Sequence, residues 1–297
     1  MIQFTIQQDE AGLTIKQYLQ TKQQFSRRLM TRLTKEKDYI RVNNRPRRID
    51  YRLQGNDLLT VTFPTEQIGT RMVAEQIPLN IVYEDEHFLI IDKQPNIAVM
   101  PSFNYPKGTI ANGILGYYEK KQLPYTVHVV TRLDRNTSGL MVIAKHHYSH
   151  SLFAKMIEER TLIRKYTAIV QGKMTTTQGT ITSRIGRVED SIIKRTVTHT
   201  GKRAITHYDV QTVTDSYSVV YIQLETGRTH QIRVHFSHIG HPLIGDDLYG
   251  VTSDEIDRQA LHCHEIQFNH PITKKPLTFQ AKLPADIQLL LRWSVNN

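Results

Sequence analysis

The chain has 297 residues, 39% of them hydrophobic and 22% charged, with a formal net charge of +10. That balance suits one large core plus a smaller module, and no run approaches the ~20 apolar residues of a membrane-spanning helix. The basic excess favours a polyanionic partner, while a single cysteine, Cys263, excludes an intrachain disulfide and a paired-cysteine zinc site.

The first residues, MIQFTIQQDE, lack a basic start followed by an apolar run, so they do not read as a signal peptide, and a cytoplasmic location is expected. Residues 1–64 hold 12 Lys+Arg against 6 Asp+Glu, a surplus of +6 that leaves only +4 for the other 233 residues. In this stretch FTIQ predicts a short strand, and Leu13, Ile15, Tyr18 and Leu19 recur at helical spacing. Ser26 is a candidate N-cap for a second helix over SRRLMTRLTKEK. YIRVNN and LLTVTF predict strands around an NNRP turn and a Gly55-Asn56-Asp57 turn. Arg27, Arg28, Arg32 and Lys35 fall on or near the second helix, and Arg45, Arg47 and Arg48 crowd the turn that follows. A lone charge cluster is usually a solvated face, but clusters on adjoining elements can follow a phosphate backbone. Residues 1–64 are therefore expected to be a small α/β module that grips structured RNA. Its order of elements resembles the RNA-binding module of a ribosomal small-subunit protein, which is also appended to many RNA-modifying enzymes.

PTEQIGTRMVAEQIP, bracketed by Pro64 and Pro78, has no clear period and predicts a linker over 65–78. Beyond it, NIVYED, HFLIID, SGLMVIAK, KYTAIVQG and SVVYIQLE are rich in β-branched and aromatic residues and predict strands. Helices are predicted at TIANGILGYYEK, HSLFAKMIEER and THQIRVHFSHIG. These do not alternate regularly with the strands, so 79–297 is expected to be one α+β domain on a mixed or antiparallel sheet.

The most specific segment is Thr131-Arg132-Leu133-Asp134-Arg135-Asn136-Thr137-Ser138-Gly139, a polar loop entering the apolar strand LMVIAK. An acidic residue there is well placed to meet a substrate, although Asp, Asn, Thr, Ser and Gly are also what any tight turn uses. The whole run TRLDRNTSGLMVIAK resembles the signature of the RluA-type pseudouridine synthases, and the resemblance gives Asp134 the position of the catalytic aspartate. RKYTAIVQG is similar to a second family block and puts Tyr166 on the active-site tyrosine. LETGRTHQIR, followed by GHPLIGDDLYG, is similar to a third and puts Arg228 on the active-site basic residue. LHCHEIQFNHP matches a further, less specific block. Thr131 departs from the pattern, which usually has His before Arg-Leu-Asp.

The resemblance implies a cofactor-free and metal-free isomerase acting on ribosomal or transfer RNA, and a monomer is expected. Breaking a C–N glycosidic bond, turning the base and removing the C5 proton needs a carboxylate but no redox or metal chemistry. On this reading Arg228 pairs with Asp134 through its guanidinium fork, Tyr166 offers a face to the uracil, and Arg132 fills the space of a flipped base or contacts phosphate. The alternative is a non-catalytic RNA-binding or ribosome-assembly protein on the same fold; a triad of Asp134, Tyr166 and Arg228 argues against it, since binding alone does not need all three. His235, His238 and His241 cross a predicted helix end and lack the Glu of a metalloprotease helix, so metal catalysis is not expected.

Overall fold

A computed structural model describes residues 1–35, 38–64, 66, 72–250 and 252–293, and contains two β-sheets. The N-terminal sheet is built from β1 (Ile2–Thr5), β2 (Ile40–Val42), β3 (Arg45–Pro46) and β4 (Leu58–Val61), in the order β1-β4-β2-β3. Helices α1 (Ile15–Thr21) and α2 (Arg27–Leu33) lie between β1 and β2 in the chain. Thr14 and Ser26 cap them, their hydroxyls accepting from the N–H groups of Gln17 and Leu29 at 3.2 and 3.1 Å. The second helix stops at Leu33, short of the predicted end. Asn43 and Asn44 take positive φ, 50° and 65°, which is the conformation that a tight turn between β2 and β3 demands and that asparagine tolerates.

The large sheet continues through β5 (Ile81–Glu84), β6 (Phe88–Lys93), α3 (Ile110–Lys120), β7 (His128–Val129), β8 (Ser138–Ala144), α4 (His147–Glu158) and β9 (Ile163–Gln171). Then come β10 (Gln178–Arg187), β11 (Arg195–Val197), β12 (Lys202–Val213), β13 (Tyr217–Leu224), α5 (Gln231–His238), β14 (Leu261–Asn269), β15 (Pro276–Gln280) and α6 (Ala285–Trp293). The order is β11-β10-β12-β13-β9-β14-β8-β6-β5, with β15 beside β14 and β7 beside β8. Among the described residues all pairings are antiparallel except β8 with β14, so the fold is mixed α+β with a mostly antiparallel sheet. Its core packs Phe88, Met141, Phe153 and Phe268 with α3 residues Ile114 and Tyr118.

Two features set the position of the catalytic-loop segment. The one parallel contact brings Ser138 and Gly139 beside His262 and Cys263. Gly139 has φ +111°, and a Cβ there would run into the Cys263 backbone, so only glycine lets the loop enter β8 this close to β14.

The N-terminal sheet is not a separate bead. Tyr148 and Leu152 of α4 are buried in the same apolar cluster as Phe25 and Leu29. The Phe25 and Tyr148 rings lie 4.2 Å apart, and Phe63 stacks on His146 at 4.6 Å. Of the predicted linker, 65 and 67–71 lie outside the described residues. The described end is anchored: Glu75 N–H donates to Asn112 O at 3.1 Å, and Ile77 packs on Gly113 of α3.

Candidate active site

The loop carrying Asp134 is pinned almost residue by residue. Thr131 is buried, and its hydroxyl accepts from Val142 N–H at 3.0 Å, so this side chain ties the loop to β8 instead of facing a substrate. Thr137 N–H donates to Asp134 O at 3.1 Å, closing a turn. Lys93, 1% exposed, donates from Nζ to the carbonyls of Arg135, Gln94 and Ile97 at 2.9, 2.8 and 3.0 Å. Burial lowers the Lys93 pKa to about 7, against the upward pull of Asp134. Arg258 donates to Asn136 O at 3.1 Å while gripping Asp286 with its fork, and Gln259 donates to the Thr137 hydroxyl at 3.1 Å.

That scaffold presents the Asp134 carboxylate, 24% exposed, at a small cleft also lined by Arg132, Tyr166, Arg228, His230 and Arg233. Its ion-pair partner is Arg233, whose Nη1 donates to Asp134 Oδ2 at 3.3 Å. The other edge of the same guanidinium holds the fully buried Asp246 through two bonds of 2.7 Å. Burial works against the Arg233 charge, but the bonds and charge of Asp246, with Asp134 behind them, outweigh it and push its pKa up. Asp246 is itself saturated by the N–H groups of Leu248 and Tyr249, each at 3.0 Å. A buried anion thus locks the arginine, and the arginine orients the exposed carboxylate.

The expected pair between Arg228 and Asp134 is therefore corrected. Arg228 is exposed, and its Nε donates to Arg203 O at 3.0 Å. Arg233, five residues on, stands inside α5 where Gln231 to Phe236 are all buried, and that helix turns its guanidinium to the cleft floor. Its signal in the sequence is a charged residue between the apolar neighbours Ile232 and Val234 on a short helix, where a buried arginine requires anions. His230 is a second residue the sequence reading passed over. It has left-handed backbone, φ 57°, and places Nε2 3.9 Å from Asp134 Oδ1 while Nδ1 meets the Tyr249 hydroxyl at 2.8 Å. Burial lowers its pKa.

Tyr166 sits on β9 opposite Ile222 and Cys263, 4% exposed. Burial raises its pKa far above the ordinary phenol range, so its hydroxyl stays protonated. Arg132 is exposed at the cleft mouth. In the N-terminal sheet region Arg28, Arg32 and Lys35 line a second, wider cleft shared with His128 and His147, whereas Arg27 faces a separate hollow beside Lys16. Arg45 and Arg48 are exposed at the β2–β3 turn, Arg48 pairing with Asp50 at 3.4 Å, and Arg47 lies over the Tyr51 ring at 4.8 Å. His235 is fully buried between the Thr206 and Ser183 hydroxyls at 2.9 Å each, a structural histidine.

Comparison with known proteins gives the class. Residues 87–238 match the family model described as RNA pseudouridylate synthase. An uncharacterized RNA pseudouridine synthase of Bacillus subtilis (strain 168), YjbO, is 46% identical over 280 residues, covering 94% of this chain and 99% of the relative. Ribosomal large subunit pseudouridine synthase D of Buchnera aphidicola (subsp. Schizaphis graminum) is 36% identical over 266 residues, covering 84% of this chain and 83% of that one. Among solved structures, human RNA pseudouridylate synthase domain containing 4 shares the fold, with a TM-score of 0.59 at 22% identity over 72% of this chain and 92% of that one.

The chain belongs to the RNA pseudouridylate synthase family. It is an RNA pseudouridine synthase, an isomerase that acts on RNA.

Proposed function

We propose that the substrate is a uridine of large-subunit ribosomal RNA and that Asp134 is the carboxylate performing the isomerisation. The observation that carries the second part is the chain Asp246–Arg233–Asp134, which fixes an accessible carboxylate at a cleft floor beside the buried Tyr166. Support for the RNA class comes from relatives named ribosomal large subunit pseudouridine synthase D, at 35–39% identity.

In the reaction the bond between C1′ and N1 breaks, the uracil turns, a bond forms between C1′ and C5, and the C5 proton leaves. Asp134 would start this by attacking the sugar or base or by taking the 2′ proton. Arg233 aims it through the Nη1 bond to Oδ2. Tyr166 offers its ring to the base, and its hydroxyl, held neutral, meets the reacting edge by hydrogen bonding. Arg228 and Arg132, exposed at the rim, suit contacts to phosphate or to the gap left by a flipped base.

Residues 1–64 would supply RNA affinity through Arg27, Arg28, Arg32, Arg45, Arg47 and Arg48, with catalysis in 79–297. The working unit in this reading is a monomer. A cytoplasmic setting follows from a ribosomal substrate. The test is a pseudouridine map of ribosomal RNA from cells with and without the gene. Loss of one or a few large-subunit sites is expected; an unchanged ribosomal map with a lost transfer-RNA site would refute the substrate assignment.

A further inference from the structure

We propose that Glu66, His128 and His147 form a binding site for a zinc-class divalent cation, outside the isomerase centre. The three residues come from separate parts of the chain: the segment after Pro64, strand β7 and the first residue of α4. Glu66 Oε2 lies 2.5 Å from His128 Nε2 and 3.9 Å from His147 Nε2. The three ligand atoms all fall within 4.8 Å of one another, the one such group of three among the described residues. The second Glu66 oxygen accepts from His147 N–H at 2.9 Å, which fixes the carboxylate before any ion arrives. The Glu66 and His128 side chains are each only 10% exposed, so the donors are largely shielded from water.

Two imidazoles and a carboxylate are a donor set that zinc takes, with a fourth position left to water. With metal–ligand distances of ~2.0–2.2 Å, tetrahedral donors stand ~3.3 Å apart. The Glu66–His128 contact must then open by roughly 0.8 Å and the His147 ring swing inward, which its 50% exposed side chain is free to do. The trio lines the wide cleft it shares with Arg28, Arg32, Lys35 and Tyr39, so the fourth position opens there. These cationic neighbours oppose a loosely held ion. They favour a metal that binds imidazole tightly, such as Zn²⁺, Co²⁺ or Ni²⁺, over Mg²⁺ or Ca²⁺. Bound there, the ion would tie the segment that follows the N-terminal sheet to β7 and α4, beside the basic α2 helix.

The competing reading is a metal-free Glu66–His128 hydrogen bond. Full-length protein without a histidine tag, stripped with chelator, would be titrated with Co²⁺ and followed by visible absorption, then with Zn²⁺ by calorimetry. Expected are one saturable equivalent, the intense absorption of four-coordinate Co²⁺, displacement by Zn²⁺ and a raised unfolding temperature. Removing a hydrogen-bond partner of a ligand costs ~10- to 100-fold in affinity, so removing a ligand itself in His128→Gln or His147→Gln should weaken binding by at least that much. Circular dichroism checks the fold, and His147→Gln, at a half-exposed position, keeps the test open if His128→Gln misfolds. Absence of saturable uptake, or uptake unchanged in His147→Gln, would overturn the proposal.

Discussion

Arg233→Lys tests whether orientation of Asp134 matters to the rate. The guanidinium serves two carboxylates at once, Asp246 through two 2.7 Å bonds and Asp134 through one at 3.3 Å. An ammonium has no fork and stays with the buried Asp246, so the bond to Asp134 is lost while the buried charge remains paired. A hydrogen bond to a charged group contributes ~1.5–3 kcal/mol, and ~1.4 kcal/mol is tenfold in rate. The single-turnover rate should therefore fall about 10- to 150-fold, with RNA affinity and fold little changed. Arg233→Met is the contrasting control, because it strands the Asp246 charge and should cost ~3–5 kcal/mol of stability. The assay is pseudouridine formation on a ribosomal RNA fragment with enzyme in excess, alongside thermal unfolding. A folded Arg233→Lys protein with the wild-type rate would refute the role assigned to Arg233.

Tyr166→Phe keeps the ring and removes the hydroxyl. It should bind RNA normally yet slow single turnover by roughly 2- to 10-fold, the size of one neutral hydrogen bond of ~0.5–1.5 kcal/mol; an unchanged rate would leave the residue as a platform only. Replacing Arg28 and Arg32 by Gln should weaken RNA binding with the chemical step intact and flatten the salt dependence, each lost phosphate contact removing ~0.7–0.9 from the logarithmic slope; an unchanged slope would show that these residues do not meet phosphate. Burial lowers His146 to about 3 and His235 and His262 to about 4. Between the ordinary pKa of 6.5 and those values the unfolded chain takes up protons that the folded chain does not, so stability is full above pH 6.5 and falls toward pH 4. Each histidine adds ~1.4 kcal/mol per pH unit to that slope, and chemical denaturation of His146→Gln across this range should show a shallower fall than the parent.

The segments most legible in the sequence were those whose own residues decide their structure. SGLMVIAK became the wholly buried β8, and TIANGILGYYEK became α3 with Thr109 as its cap. HSLFAKMIEER was read three residues late, because His146 caps α4 by accepting from Ser149 N–H at 3.1 Å, a role that nothing local announces. Strands β10 and β12 were missed: QGTITSRIGR and KRAITHYDVQTV carry so many polar residues that only pairing with each other and with β13 makes them strands. Asp134 and Tyr166 were visible as motif positions, but the choice between Arg228 and Arg233 was not. Both lie in LETGRTHQIR, and which one reaches Asp134 depends on where α5 starts and on Asp246, thirteen residues beyond Arg233. Likewise Thr131 stood out in the sequence only as a departure from the family pattern, whereas in the fold its hydroxyl accepts the Val142 N–H.

The most direct test of the account is Asp134→Asn, which removes the carboxylate's charge at nearly constant shape and leaves the loop bonds from Lys93, Arg258 and Gln259 in place. Purified variant and parent would be incubated with the ribosomal RNA fragment in single-turnover excess, and pseudouridine quantified by mass spectrometry beside a binding isotherm. The account predicts no detectable pseudouridine with RNA affinity within a few-fold of the parent, since phosphate contacts carry most of the binding. Appreciable pseudouridine formed by the folded variant would contradict it.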